Sequence, residues 1–413
     1  GRDRSPVMSI LLPRLQDLLL DMLGTPRKID PSFPASLRQN DWQAIMKMVE
    51  QHRLAPLLHW RLTHEHANLP VPADVRSQLE HEFRASAMRG LLLQRELILI
   101  HRLLEQAEIP YTALKGAYLA YHSYPHPALR PLRDLDLIVP KERALEAFSV
   151  LLKGGLIRHE LSRGNPEATL EQKKHLPPVL TPRGNIWVEL HTRLSDSEKH
   201  NLASRDIWSR TVRCNIASDP VTFLSPTDTL LHLIIHAVYD HKFSNGPLTI
   251  SDLFYLIRYE HIDWPLFWKC AEAQDVTRGC ILALRMAERF YGKMDIDWGK
   301  ADLSSVDMVL EQASRLTLRD SAVQGFSNLK SARIGKDTHI EKAGVYVSRL
   351  FPSKAEVASR YPVSDSSIRV YFWYPVWWAY VLQRVWRNMT RRDKSVLGQE
   401  ADNLVRVESW LKD

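Results

Sequence analysis

Cysteine is scarce. The chain of 413 residues holds three, Cys214, Cys270 and Cys280, widely spaced and odd in number. That excludes a disulfide framework and a Cys-x-x-Cys metal site, and it points to a reducing compartment. Long apolar runs are missing too. The longest uncharged stretch, 370–383, is too short to span a bilayer and is interrupted by Pro375. Residues Gly1 to Val7 precede the first methionine, Met8, and read as an added leader. No basic stretch feeding an apolar core and a small-residue cleavage site follows, so no signal peptide is expected and the reading is cytoplasmic. Charge is not strongly one-sided. Lys and Arg number 55 against 48 Asp and Glu, and the net +7 is spread along the chain. Anionic partners are favoured, and nucleotide phosphates account for the excess as well as nucleic acid does. Internal repeats and low-complexity tracts are absent.

What remains is an ordinary globular composition, 45% hydrophobic and 25% charged, on a chain long enough for more than one packed unit. Periodicity divides it into four segments. Residues 1–107 read as helices: Asp41 to His52 places Trp42, Ile45, Met46 and Val49 on one face, and a longer pattern runs from Pro72 towards Gln106. At Ile109-Pro110 the pattern changes, and 108–195 reads as a small α+β core with a mixed sheet. Its expected order is a strand at Tyr111–Leu114, a helix at Ala117–Tyr124, a strand at Asp134–Val139, a helix at Lys141–Leu152 stopped by Gly154-Gly155, and two strands at His175–Thr181 and Asn185–His191. Beyond Arg193 the reading is helical again, over 196–325. It includes a helix opened by the capping sequence Ser225-Pro-Thr-Asp228, another from Ser251 or Asp252, and a third over 281–292. The last segment, 326–413, starts polar and weakly periodic and ends basic, aromatic and helical.

Chemistry concentrates in the core. Asp134 and Asp136 sit two apart on one strand, so both carboxylates leave the same face while Leu135 and Leu137 face the interior. Alone, Asp-x-Asp is a weak signal, more often a solvated strand end than a metal site. In Trp187-Val-Glu-Leu-His191, the residues Trp187, Glu189 and His191 share a face, which adds a third carboxylate and an imidazole. Carboxylates gathered on neighbouring strands suit Mg²⁺, and three can hold two divalent ions in the arrangement used for in-line phosphoryl displacement. Lys115-Gly116-Ala117 lies at a strand-to-helix junction, where backbone N–H groups can approach a phosphate. Arg130 and Arg133 flank the aspartates and could neutralise a triphosphate; the plainer reading is surface arginines balancing two aspartates. His191 could order a metal shell, contact the nucleotide or make a structural hydrogen bond.

The order Leu-Lys-Gly, then Arg130-Pro-Leu-Arg-Asp-Leu-Asp-Leu-Ile-Val, then Val-Glu-Leu-His-Thr-Arg-Leu resembles the DNA polymerase β-type nucleotidyltransferase superfamily. More narrowly it resembles the bacterial uncharacterised nucleotidyltransferase family often met in natural-product and polysaccharide gene clusters, over about Asp41 to about Tyr291. The resemblance implies a polymerase-β-like mixed-sheet core flanked by N-terminal and C-terminal helical domains. It also implies Asp134 and Asp136 as ligands shared by two Mg²⁺ ions (or Mn²⁺), with Glu189 as the third carboxylate. The substrate would be a nucleoside triphosphate, ATP foremost. Its nucleoside monophosphate would pass to an acceptor hydroxyl on a small molecule, sugar, peptide or protein, releasing pyrophosphate. Two departures stand out: Gly116-Ala117 replaces the superfamily's usual Gly-Ser, and Glu189 stands where Asp is frequent. A silent nucleotide-binding or scaffold protein is the alternative, as is an RNA 3′-end nucleotidyltransferase, although the core shows no stacked-aromatic motif for single strands.

Two further features invite a reading. His232 and His236, four apart, lack the glutamate of a zinc protease helix, and are expected to form a polar face against the sheet, with Asp252 paired to that face or to a basic residue. The run Tyr371 to Trp386, followed by Arg387, Arg391 and Arg392, reads as a core helix clasping the domains or as a peripheral membrane contact through 370–392.

Overall fold

Alternation decides where the sheet forms. Leu135, Leu137, Val188 and Leu190 are buried, while Asp136 and Glu189 between them are only partly covered. Each buried leucine or valine contributes about 1.5–3 kcal/mol relative to exposure, so the register that sinks these four is strongly specified. The computed structural model of the protein describes residues 6–24, 29–159, 162–183, 185–195, 197, 200, 205–319, 351–390 and 394–412. The first five residues of the expected leader and the polar stretch from 324 to 350 lie outside the described residues, as do the side chains of 384–390.

Among the described residues, seven strands form one mixed sheet: β1 (Thr112–Ala113), β2 (Asp134–Ile138), β3 (Ile157–Arg158), β4 (Val179–Leu180), β5 (Trp187–His191), β6 (Val212–Ile216) and β7 (Asp219–Phe223). Their spatial order is β3-β4-β5-β2-β1-β7-β6. The pairs β2–β5 and β1–β7 are parallel, and the rest are antiparallel. Helical segments precede and follow the sheet in sequence, and the α+β expectation holds.

The secondary-structure reading needs several corrections. The chain beyond Arg193 does not turn directly helical, because β6 and β7 form a hairpin that extends the sheet. Its two-residue turn is Ala217-Ser218, with Ala217 at φ +53°. The strand expected over His175–Thr181 shrinks to Val179–Leu180, with His175 making a single antiparallel bridge to His191. Ile157–Arg158 and the helix Pro166–Gln172 are additional. The later helices begin earlier than the patterns suggest, at Leu248 and Thr277.

By internal contacts the chain forms two compact units. The helical unit comprises Gly1–Leu91, Tyr118–Leu132 and Leu233–Ser321, and the sheet unit comprises Leu92–Ala117, Arg133–His232 and Ala322–Asp413. In the helical unit, Leu19, Met22, Ile45, Leu57 and Leu58 are fully buried, and Phe254 stacks on Tyr291 with ring centroids 4.2 Å apart. Arg61 is buried there beside Glu65, with its guanidinium 5.1 Å from the Tyr291 ring centroid. In the sheet unit, Val357, Ala358, Val363 and Val370 form a small cluster. It is tied to the helix Pro166–Gln172 by the Asn165 N–H donating to the Ala358 carbonyl (3.0 Å). Pro375 falls in the first turn of the helix Tyr374–Thr390 and does not break it. Along this segment Ile368 and Phe372 are more than three-quarters exposed. Among the described residues, no helix is long and apolar enough to cross a membrane.

Candidate active site

The site is built by strand register. β2 and β5 run parallel with Asp134 opposite Trp187, Asp136 opposite Glu189, and Ile138 opposite His191. Directly opposed side chains on neighbouring strands stand about 5 Å apart, and like charges so placed destabilise a sheet. Here the Asp136–Glu189 pair is flanked by an ammonium and two imidazoles. Lys115 Nζ donates to Asp136 Oδ2 at 2.9 Å. His191 Nε2 lies 3.4 Å from Asp136 Oδ1 and 3.3 Å from Glu189 Oε2, and His175 Nε2 lies 3.8 Å from Glu189 Oε2.

The backbone that delivers Lys115 is strained. Lys115 has φ +47°, a left-handed conformation that costs a residue with a Cβ about 1–2 kcal/mol. It turns the chain from β1, which is held to β2 by the Leu114 N–H donating to the Asp136 carbonyl (2.9 Å), into the helical turns of 116–123. Gly116 and Ala117 follow at the start of those turns. The strain sits beside the carboxylates, where such costs are commonly found to have a use.

Burial and charge oppose each other throughout the cluster. Burial pushes the Asp136 carboxyl up, but Lys115 and His191 together outweigh it and hold the group well below the usual carboxylate range. Burial also pushes Glu189 up, and the neighbouring His191 and His175 imidazoles bring it below its ordinary value. The His191 imidazole is pushed down by burial and raised further by Asp136 and Glu189, so its net shift is upward. His175 is lowered, because burial exceeds the effect of Glu189.

These contacts bring together residues that the sequence pattern did and did not single out. Asp136, Glu189, His191 and Lys115 meet at one place. Asp134 is exposed on the same strand, two residues earlier, and Arg133 beside it is exposed as well. Arg130 lies in the helical unit, where its Nε donates to Asp252 Oδ1 (2.7 Å) and the Tyr124 hydroxyl donates to the same oxygen (2.7 Å). Asp252 is thus paired with a basic residue. His175 and Lys174 escaped the site reading, and His232 was expected only as part of a polar face against the sheet. Lys174 is buried, and its carbonyl accepts from the Thr192 N–H (2.8 Å), which fastens the end of β5. His232, fully buried on the helix Pro226–Ile235, is held well below its ordinary value by burial and by Lys115, Lys174 and His191. The run Lys173-Lys174-His175 was a usable signal, since three basic residues opened a strand predicted to neighbour Glu189.

Among the described residues, one ligand atom each from Asp136, Glu189 and His191 lies within 4.8 Å of the others. Asp136 Oδ1 and both His191 ring nitrogens are buried and make no well-aligned hydrogen bond. Buried polar atoms are almost always satisfied, and carboxylate oxygens with an imidazole nitrogen are a donor set for a divalent cation. The residues fit such an ion.

Comparison with protein-family models matches residues 38–292 to the one described as uncharacterised nucleotidyltransferase. No curated protein and no solved structure gives a significant match.

Proposed function

Since this chain belongs to the uncharacterised nucleotidyltransferase family, we propose that it transfers a nucleoside monophosphate from a nucleoside triphosphate to an acceptor hydroxyl, with Asp134, Asp136 and Glu189 as its catalytic carboxylates. The observation that supports this most is the register that sets Asp136 opposite Glu189 on parallel strands, with an unsatisfied carboxylate oxygen between them.

In this reading Asp134, Asp136 and Glu189 hold divalent cations, Mg²⁺ or Mn²⁺. When bound, these supply charge neutralisation at the phosphates and acidify the acceptor hydroxyl. The rest of the work falls to the chain. The backbone N–H groups at Gly116 and Ala117 face the phosphates at the opening of a helical turn, and ATP is the first triphosphate to test. Arg133, exposed beside Asp134, supplies positive charge for the pyrophosphate leaving group. Lys115 holds Asp136 ionised and fixed in direction, so that the site is organised before substrate arrives. The acceptor oxygen attacks the α-phosphorus in line, the bond to the pyrophosphate oxygen breaks, and Glu189 takes the hydroxyl proton. Holding attacking and leaving oxygens in line accounts for most of the rate. A small molecule, a sugar, a peptide or a protein side chain can present the hydroxyl.

The test is metal-dependent pyrophosphate release from each of the four triphosphates in the presence of a cell extract, followed by mass spectrometry of whatever gains the nucleotide. Asp136→Asn is expected to abolish metal-dependent turnover, because it removes the charge that both holds the cation and neutralises the phosphates. Full activity in that variant would overturn the assignment, and triphosphate binding without turnover in the unaltered protein would favour a silent module.

A further inference from the structure

The three carboxylates of the proposed reaction leave His191 without a part. It is 2% exposed, deeper than either carboxylate it faces. Its backbone is held on both sides. The Val139 N–H donates to the His191 carbonyl (2.9 Å), His175 bridges to it from the other side, and the Thr192 N–H is tied to Lys174. The strand therefore aims the ring between Asp136 and Glu189. A histidine placed there to make charge-assisted hydrogen bonds would sit at about 2.7–2.9 Å and in line. His191 Nε2 instead stands off at 3.4 and 3.3 Å from the two oxygens, with no aligned bond to either. The imidazole nitrogen and Asp136 Oδ1 thus stand close together, each buried and without an aligned hydrogen bond, and both lie within 4.8 Å of a Glu189 oxygen. Lys115 occupies the second oxygen of Asp136 at 2.9 Å, so this carboxylate has one oxygen left to give.

We infer that His191 is itself a ligand of the bound cation, making the inner site one oxygen of Asp136, Glu189 and an imidazole, and that this site selects a transition-metal ion such as Mn²⁺ over Mg²⁺. The inference rests on the divalent-cation reading above and adds to it the nitrogen donor and the preference. Mg²⁺ favours an all-oxygen shell, whereas imidazole raises affinity for first-row transition ions. With Lys115 removing one carboxylate oxygen, the oxygen count falls and the nitrogen counts for more.

The experiment is electron spin-echo envelope modulation on the full chain loaded with Mn²⁺, with competition by Mg²⁺ followed through the free Mn²⁺ signal. Nitrogen modulation from a directly bound imidazole is expected, together with Mn²⁺ binding about ten-fold or more tighter than Mg²⁺. In His191→Gln the modulation should vanish and the Mn²⁺/Mg²⁺ ratio fall towards one, with circular dichroism checking that the variant folds. His175→Gln, which leaves the ligand in place, should keep the modulation; this holds the inference open to refutation if His191→Gln does not fold. Mn²⁺ binding without nitrogen modulation, or modulation lost in His175→Gln, overturns the inference and leaves the carboxylate reading standing. Failure of the unaltered protein to bind Mn²⁺ or Mg²⁺ at all overturns both.

Discussion

Asp252 in the helical unit and Asp136 in the sheet unit each meet a cation at hydrogen-bond distance, Arg130 at 2.7 Å and Lys115 at 2.9 Å. The surroundings then diverge. Asp252 also accepts from the Tyr124 hydroxyl, so one carboxylate oxygen serves two donors in a closed, neutral arrangement. Asp136 faces a second carboxylate across the strand pair, keeps one oxygen without an aligned hydrogen bond, and has a buried imidazole beside it in the same condition. A charge pair that serves folding is finished by its neighbours. The group to which we assign chemistry keeps donor atoms in reserve and pays for this in local repulsion and backbone strain.

Substitutions at the two carboxylates should separate these roles, and the largest effect expected is catalytic. Asp136→Asn, which should abolish turnover, relieves the repulsion with Glu189 while loosening Lys115, so its denaturant midpoint should shift less than that of Asp252→Ala. The opposite order of midpoints would erase the contrast. Next in size is Asp252→Ala itself. It leaves a largely buried Arg130 guanidinium and the Tyr124 hydroxyl without their acceptor, a loss of about 3–5 kcal/mol on the scale of broken buried pairs. Pairing it with Arg130→Met should recover much of that loss, because removing both charges together is often close to neutral. Urea unfolding of the single and double variants measures both.

The halves of the molecule were unequally legible. Asp134-Leu-Asp-Leu-Ile and Trp187-Val-Glu-Leu-His alternate so regularly that period two alone put their polar residues on one face, and the structure pairs them in register. The hairpin β6–β7 escaped because its turn, Ala217-Ser218, has neither Gly nor Asn where φ is positive, and because Pro220 sits within β7. His175 approaches Glu189 and His191 through an antiparallel bridge across a short connection, so the basic run 173–175 was legible beside Glu189 and was passed over because neither strand's pattern marks it as part of the carboxylate face. Arg61 is buried among aromatic rings from helices that follow it far along the chain, at Phe254 and Tyr291, and a lone arginine on an apolar helix gives no hint of that.

A third effect sharpens the contrast through pH. His232 is fully buried, and the groups acting on it are Lys115, Lys174 and His191, which disfavour its charged form, and Asp136, which favours it; burial and the cations prevail. Its folded pKa therefore lies below the value of about 6.5 that it has in the unfolded chain. Between the two values the unfolded chain binds the extra proton, so stability is intact above about pH 6.5 and is lost as pH falls below it. Replacing the ring with His232→Gln removes that proton linkage. With chelator present, the fall in unfolding free energy from pH 7 to pH 5 should be shallower than in the unaltered protein by up to about 1.4 kcal/mol per pH unit. Equal slopes would mean that the ring titrates normally and that the space behind the carboxylates is wetter than its burial implies.

The smallest effect is expected where satisfaction is redundant. The helix that bears His232 starts with Ser225, whose Oγ accepts from the Asp228 N–H (3.1 Å) and donates to Asp228 Oδ2 (2.7 Å). Arg210 independently grips both oxygens of Asp228, at 2.7 and 2.9 Å. Ser225→Ala removes the cap, worth about 1 kcal/mol, yet leaves Asp228 at the helix N-terminus with its arginine, so no charge is stranded. A modest drop in denaturant midpoint with unchanged turnover is the expected result. A loss of activity out of proportion to that drop would mean that the helix start sets the position of His232 and, through it, of His191, and the closed network at Asp228 would then belong with the open site rather than with Asp252.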